Sequence, residues 1–314
     1  MNGWLIALGE SLLFVLLAPL FTAWLKRIKC WLQNRRSPSL LQPYRDLRRL
    51  FGKQVVMAHN ASIIFRMTPY IVATTTLMAV VVIPFLAVNL PTTAIADVIV
   101  LAGFFALARF FLALAAMDIG TAFGGMGASR EMTISALAEP AMLMAVFTLA
   151  MVASSTNLST IINHLLAEGM VLRPSLLFAF LSLVLVGIAE TGRIPVDNTA
   201  THLELTMIHE AMILEYSGRH LALLEWAAQV KLMIYGVLIA NIFFPWGIAQ
   251  HTDGISLGIA LLAIIAKLLL IGTALAFGET LLAKMRLFRV PAFLFLALTL
   301  SVIGLLSHII LEIS

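Results

Sequence analysis

Residues 4–25 read WLIALGESLLFVLLAPLFTAWL, and Lys26, Arg27 and Lys29 follow directly. A bilayer has a hydrocarbon core about 30 Å thick, which about 20 mainly apolar residues cross as a helix rising ~1.5 Å each. The stretch is therefore long enough to span. Its positive charge follows the apolar run instead of preceding it, and no small-residue cleavage site is evident. It reads as a first span with its N-terminus outside, not as a cleaved leader.

Working outward, the same kind of run recurs near 68–90, 97–117, 132–154, 174–190, 222–247, 254–278 and 290–312. That makes about eight, of which the fifth is short and ends at Glu190. The composition agrees. Of 314 residues 61% are hydrophobic and 11% charged, where a soluble domain carries roughly 45–50% and about 25%. So little polar surface cannot cover a chain in water, and lipid is its solvent. The expected fold is an all-α, polytopic membrane helical bundle. It forms a single integral membrane domain over 1–314, with cytoplasmic loops at 26–67, 118–131, 190–221 and 279–289 and no internal repeat.

Charge placement orients the bundle. The first connection holds Lys26, Arg27, Lys29, Arg35, Arg36, Arg45, Arg48, Arg49, Lys53 and Arg66. Every second connection after it adds more: Arg130, then Arg193 and Arg219, then Lys284, Arg286 and Arg289. The opposite face has only Arg173. The positive-inside rule makes the basic face cytoplasmic. Both termini then fall on the non-cytoplasmic side, which requires an even number of spans. The formal charge of +4 thus reports topology, with lipid as a partner and no nucleic acid implied. One cysteine, Cys30, makes no internal disulfide and no iron–sulfur cluster, and no Cys/His set has zinc spacing. No redox centre or metal site is expected on this chain.

Ionisable groups fall where lipid should be: Arg109, Asp118, Glu139, Glu190, Glu225, Lys231, Lys267 and Glu279. Each costs a few kcal/mol at membrane depth, so such groups face protein or water and mark pathways. Glu139 precedes Pro140, which frees a backbone carbonyl and kinks a helix. Internal pairing that merely ties helices together explains any one of them. For the set, on at least five spans, a buried polar chain is the better account.

Two connections hold the densest signals. Residues 117–131 carry Gly120, Gly124, Gly125 and Gly127, which permit close helix approach, then Ser129 as a cap with Arg130 and Glu131 in the first turn of the next helix. Residues 190–218 bring five carboxylates, Glu190, Asp197, Glu204, Glu210 and Glu215, to a face otherwise positive. A helix is expected over 200–214, with apolar positions around most of its circumference, so it packs against protein. His202, Thr206 and His209 share one of its faces. Their spacing is not His-x-x-x-His, and interface hydrogen bonding is the reading for the histidines, with proton relay as the alternative. Residues 41–53 form a short interfacial helix with Leu47, Leu50 and Phe51 on one side, suited to headgroups or to a partner.

These stretches resemble a known family. The motifs are Asn34-Arg35-Arg36 with Leu41-Gln42-x-Tyr44-Arg45-Asp46, Phe65-Arg66-x-Thr68-Pro69-Tyr70, and Asp118-x-Gly120-x-x-Phe123. They continue with Gly127-Ala128-Ser129-Arg130-Glu131, Glu139-Pro140, Glu190-x-Gly192-Arg193-Ile194-Pro195-x-Asp197 and Glu215-Tyr216-Ser217-Gly218. Together they look like the subunit shared by respiratory complex I (its subunit 1, the bacterial H subunit) and the membrane-bound group 4 [NiFe]-hydrogenases. Tyr44-Arg45-Asp46, Gly127 to Glu131 and Glu215 to Gly218 are most similar to the hydrogenase branch, formate hydrogenlyase subunit 4 or hydrogenase-4 component C. Ser37-Pro38-Ser39 departs from the Gly-Pro-Gly that relatives tend to have there.

The resemblance implies a non-catalytic anchor and energy-coupling subunit in the cell's inner (cytoplasmic) membrane. It would link a peripheral redox module to ion-translocating membrane subunits. The module implies a [NiFe] centre and iron–sulfur clusters on the hydrogenase large and small and ferredoxin-like subunits. The membrane partners would be antiporter-like. A proton route would run through Glu139, Glu190, Asp197, Glu204, Glu210 and Glu215, with Arg130 paired to the acidic group and Lys231, Lys267 and Glu279 extending it. Docking would fall to Arg35, Arg36, Tyr44, Arg45, Asp46, Arg193, Pro195, His202 and His209. The alternatives are the quinone-site subunit of a complex I-type NADH dehydrogenase and a stand-alone secondary ion transporter.

Overall fold

The structure, a computed structural model, describes residues 2–168, 173–197 and 207–312. In chain order the helices are α1 (Asn2–Leu32), α2 (Gln42–Phe51), α3 (Ile63–Val82), α4 (Val98–Asp118), α5 (Ala122–Ala153) and α6 (Leu158–Glu168). Then come α7 (Pro174–Glu190), α8 (His209–Ile213), α9 (Gly218–Phe243), α10 (Gly254–Leu281) and α11 (Val290–Ser307). Among the described residues, seven helices are long and apolar enough to cross a membrane, the last counted over Leu287–Leu311. The apolar helix α7, with 17 residues, is the short fifth run expected from sequence. The protein is a multi-pass, all-α membrane bundle. Pro19, Pro69 and Pro140 lie inside α1, α3 and α5, as neighbouring helices permit in lipid.

The connection expected at 118–131 is mostly helix. Helix α5 starts at Ala122, and Thr121 caps it by accepting from the Gly124 amide at 3.3 Å. Ser129 is therefore not a cap: its hydroxyl donates to the Met126 carbonyl within the helix. Gly127 serves contact. A Cβ on Gly127 would lie 3.0 Å from the Ala211 Cβ and 3.1 Å from the Ile208 carbonyl, so α8 lies directly on the first turns of α5. Of the helix expected over 200–214, residues from 207 are described, and α8 accounts for five of them. His202 and Glu204 lie outside the described residues.

One end of the bundle is the expected basic one. Helix α2 buries Pro43 and Leu47 and leaves Arg45, Arg48 and Arg49 exposed. The Tyr216-Ser217-Gly218 motif ties that end together. Tyr216 stacks on Phe65 at 4.0 Å and donates to the Phe65 carbonyl at 3.1 Å. Ser217 Oγ accepts from the Val56 amide and donates to its carbonyl, each at 2.8 Å. Gly218, at φ +54°, has no room for a side chain, because a Cβ would lie 2.5 Å from the Gln54 carbonyl.

The opposite end is closed by backbone pairing and amide side chains. Ala249 bridges two connections: its carbonyl accepts from the Val88 amide at 3.1 Å, and its amide donates to the Leu86 carbonyl at 2.8 Å. The buried Asn241 amide donates to the carbonyls of Pro84 and Phe85 at 2.9 and 3.1 Å. Both chain ends lie here: Gly3 meets Pro91, and Gly304 meets the start of α7.

Candidate functional site

The buried ionisable groups converge on Arg109. Helix α4 carries it into the bundle with its side chain 5% exposed. Its Nη1 donates to Glu139 Oε1 at 2.6 Å, its Nη2 donates to Glu190 Oε2, and its Nε lies 3.4 Å from Glu131 Oε1. Lys231 Nζ, from α9, donates to the same Glu190 oxygen at 2.9 Å and stands 5.5 Å from the Phe105 ring centroid. Glu131 and Glu139 come from α5, and Glu190 ends α7. Four helices thus contribute five charged groups, which sum to one net negative charge when all are ionised.

A cavity of about 350 Å³ opens beside this cluster. Arg109, Glu131, Glu190 and Lys231 line it, and so do Asp197, His209 and Glu210. Thr22, Lys26 and Thr76 line it as well. Glu139 is not among the lining residues; its side chain is 38% exposed on the other side of Arg109. The cluster therefore reaches two surfaces, the cavity and the flank of α5 at Glu139.

A second set of charges clasps the segment after α7. Asp197 is buried, and its Oδ1 accepts from Lys284 Nζ at 2.8 Å. Its Oδ2 accepts from the amides of Ile208 and His209 at 3.3 and 3.4 Å. The Pro195 carbonyl accepts from the Met285 amide at 2.9 Å. Glu279, buried on α10, pairs with Lys29 of α1 and has Arg193 Nη1 3.6 Å away. Burial lowers the pKa of His209; Glu210 and Asp197 act to raise it and Lys231 lowers it further.

The expected site residues divide accordingly. Glu139, Glu190 and Lys231 meet, and Glu210 and Asp197 share their cavity. The cation that pairs with the carboxylates is Arg109, whereas Arg130 donates from Nη1 to the Met207 carbonyl at 2.8 Å. Glu279 belongs to the separate Lys29–Arg193 clasp, Lys267 stands apart on α10, and Glu215 is exposed in the turn after α8. Among the docking residues, Arg35, Arg36 and Arg45 are exposed and Pro195 is buried. Tyr44 donates to the Leu16 carbonyl, and Asp46 accepts from Gln42 at 2.9 Å. The sequence placed Arg109 inside a span but gave it no role, and gave Glu131 none beyond the first turn. A guanidinium midway along an apolar run, with no charge near it in sequence, was the available signal. Asp118 is structural: its Oδ2 accepts from the Ser62 amide at 2.9 Å and holds the start of α3.

Known proteins share this arrangement of helices. The chain is 34% identical over 290 residues to hydrogenase-4 component C of Escherichia coli K12, covering 91% of this chain and 90% of that one. It is 31% identical over 282 residues to formate hydrogenlyase subunit 4 of the same organism, covering 90% and 91%. To the H subunit of the NADH-quinone oxidoreductase of Salinibacter ruber it is 25% identical over 229 residues, covering 70% and 66%. A chain in the structure of a membrane-bound sulfane sulfur reductase, an archaeal respiratory membrane complex, superposes with a TM-score of 0.80 at 19% identity, covering 98% and 99%, and so shares the fold. The NADH dehydrogenase family profile matches residues 6–309, and with relatives this similar over nine-tenths of its length the chain belongs to that family.

Proposed function

We propose that the chain is the membrane-anchor and energy-coupling subunit of a multi-subunit [NiFe]-hydrogenase complex of the formate hydrogenlyase kind. The observation that carries the reading is the Arg109 cluster, open to a cavity beside the 190–218 segment on one side and exposed at Glu139 on the other. In this reading the basic end faces the cytoplasm, and the soluble redox subunits, which hold the [NiFe] centre and iron–sulfur clusters, seat on it. Arg35, Arg36, Arg45, α2 and α8 offer them a surface. Proton uptake or charge displacement at that surface acts on Asp197, His209 and Glu210. The cluster answers by taking or releasing a proton, since three carboxylates against two cations leave one charge to be neutralised. Arg109 relays the change to Glu139, and antiporter-like subunits receive it sideways.

The greater identity to the hydrogenase and formate hydrogenlyase subunits than to the NADH-quinone oxidoreductase relative supports this branch over a quinone-site subunit of a complex I-type enzyme. Activity that required added quinone would reverse that choice. Secondary transporters are commonly built from inverted repeats, and the sequence shows no internal repeat, which argues against a stand-alone transporter.

Glu139→Gln tests the coupling role, because it removes the titrating group at the exposed end and keeps its shape. The complex should assemble, with nickel and iron in wild-type amounts. Hydrogen production should continue, and proton movement per hydrogen in vesicles should fall at least about fivefold. Unchanged hydrogen production together with unchanged proton movement would remove Glu139 from the mechanism.

A further inference from the structure

Helix α10 carries an ammonium group at its centre that no described residue of this chain neutralises. Lys267 is the fourteenth of its 28 residues, about 20 Å of helix from either end. The half-thickness of the hydrocarbon is about 15 Å. A lysine stem of four carbons reaches about 6 Å, so Lys267 does not reach the headgroups from there. Its side chain lies half-buried on the flank of the helix, beside the buried Ile264 and Leu268, with Ala266 and Leu270 exposed next to it. Among the described residues no hydrogen bond or ion pair meets Lys267, and no charged group acts on it. The other cations inside spans behave differently: Arg109 and Lys231 both hold Glu190.

We propose that the face of α10 around Lys267 is the interface for a spanning helix of a different membrane subunit, one that presents an aspartate or glutamate at mid-depth. Charge, distance and existing pairing select that occupant. A charge in hydrocarbon demands an opposite one. Lipid phosphates lie too far away along the helix. A second copy of this chain has Glu190 and Glu279 buried, paired and at the ends of their helices, and its Glu139, midway along α5, is already held by Arg109 at 2.6 Å. The outer face is otherwise apolar, with Ile255, Leu262, Leu270 and Phe277 exposed, as a helix pair in a membrane requires. The interface rests on the proposed function and names a surface for one of its membrane partners.

The test uses the whole complex, solubilised in mild detergent. A photo-crosslinking residue in place of Leu270, with Lys267 intact, should give an adduct with one membrane subunit, and mass spectrometry of that adduct should find an acidic residue in its spanning segment. Lys267→Met should cut co-purification of that subunit at least tenfold, while Lys267→Arg keeps it within twofold. Nickel and iron from the soluble subunits should stay with the chain in both variants. The proposal is overturned if Leu270 adducts contain only lipid or a second copy, or if Lys267→Met leaves the membrane subunits unchanged. The crosslink decides the matter even where Lys267→Met fails to accumulate. Loss of the soluble redox subunits from wild type would instead overturn the proposed function and leave the α10 interface standing.

Discussion

The two ends of this bundle use their buried polar groups differently. At the basic end, Arg109, Glu131, Glu139, Glu190 and Lys231 meet side chain to side chain and open on a cavity of about 350 Å³. At the other end, Phe14, Phe85, Leu101, Leu149 and Ile161 pack in one apolar cluster. The polar groups there mostly bind backbone, as Asn241 and Asn157 do. Glu10 does so too, buried with one oxygen accepting from the Leu86 amide at 3.3 Å beside a cavity of about 20 Å³. Side chains that hold backbone fix a shape. Side chains that hold each other's charge keep a choice of where a proton goes. Under the proposed function, the difference would let one chain both anchor a complex and respond to it, and would send a polar route that enters at the basic end out sideways.

The contrast breaks most severely at Arg109. Arg109→Leu leaves three carboxylates around a single lysine, and removing one partner of a buried ion pair costs about 3–5 kcal/mol. Thermal unfolding of the detergent-solubilised protein should show a larger loss for this substitution than for any at the dry end. Arg109→Leu combined with Glu190→Leu should recover part of it, because less charge is then stranded. A double variant no more stable than Arg109→Leu alone would mean that Glu190 is balanced by something other than Arg109.

Asn241→Leu probes the dry end. It strands the Pro84 and Phe85 carbonyls, at about 1–3 kcal/mol for an unmet buried acceptor. Melting should fall by that smaller amount, and proton movement per hydrogen in the assembled complex should stay at the wild-type value. A selective loss of proton movement would show that the dry end takes part in the response.

The bundle was legible because lipid imposes one rule on every span: about 20 apolar residues, with basic residues between them on one side. The run at 174–190 was read to the residue. What the sequence hid was pairing. Glu139 and Glu190 announce themselves as charges in apolar runs, but Arg109 and Glu190 are 81 positions apart, and nothing local records that α4 and α7 bring them together. The resemblance implied Arg130 as the cation paired with the acidic group. On a helix adjacent residues point about 100° apart, so Glu131 turns to Arg109 while Arg130 turns to Met207. Gly124, Gly125 and Gly127 lie inside a helix where a connection was expected, and Gly127 makes the close helix approach expected of it, to α8.

The smallest effect concerns His209, where the wet end meets solvent. Burial keeps its pKa below the usual value, with Glu210 and Asp197 opposing, so the folded protein favours the neutral imidazole. An unfolded histidine takes its proton near pH 6.5. The stability that depends on neutral His209 is therefore complete above about pH 6.5, and it is lost as the pH falls from there through the folded value. Melting curves between about pH 7.5 and 5.5, spanning that range, should be steeper with pH for wild type than for His209→Gln, which has no proton to take up. Equal slopes would mean that the protonated ring is accommodated between Glu210 and Asp197. His209 would then be a proton acceptor at the mouth of the cavity and not part of its wall.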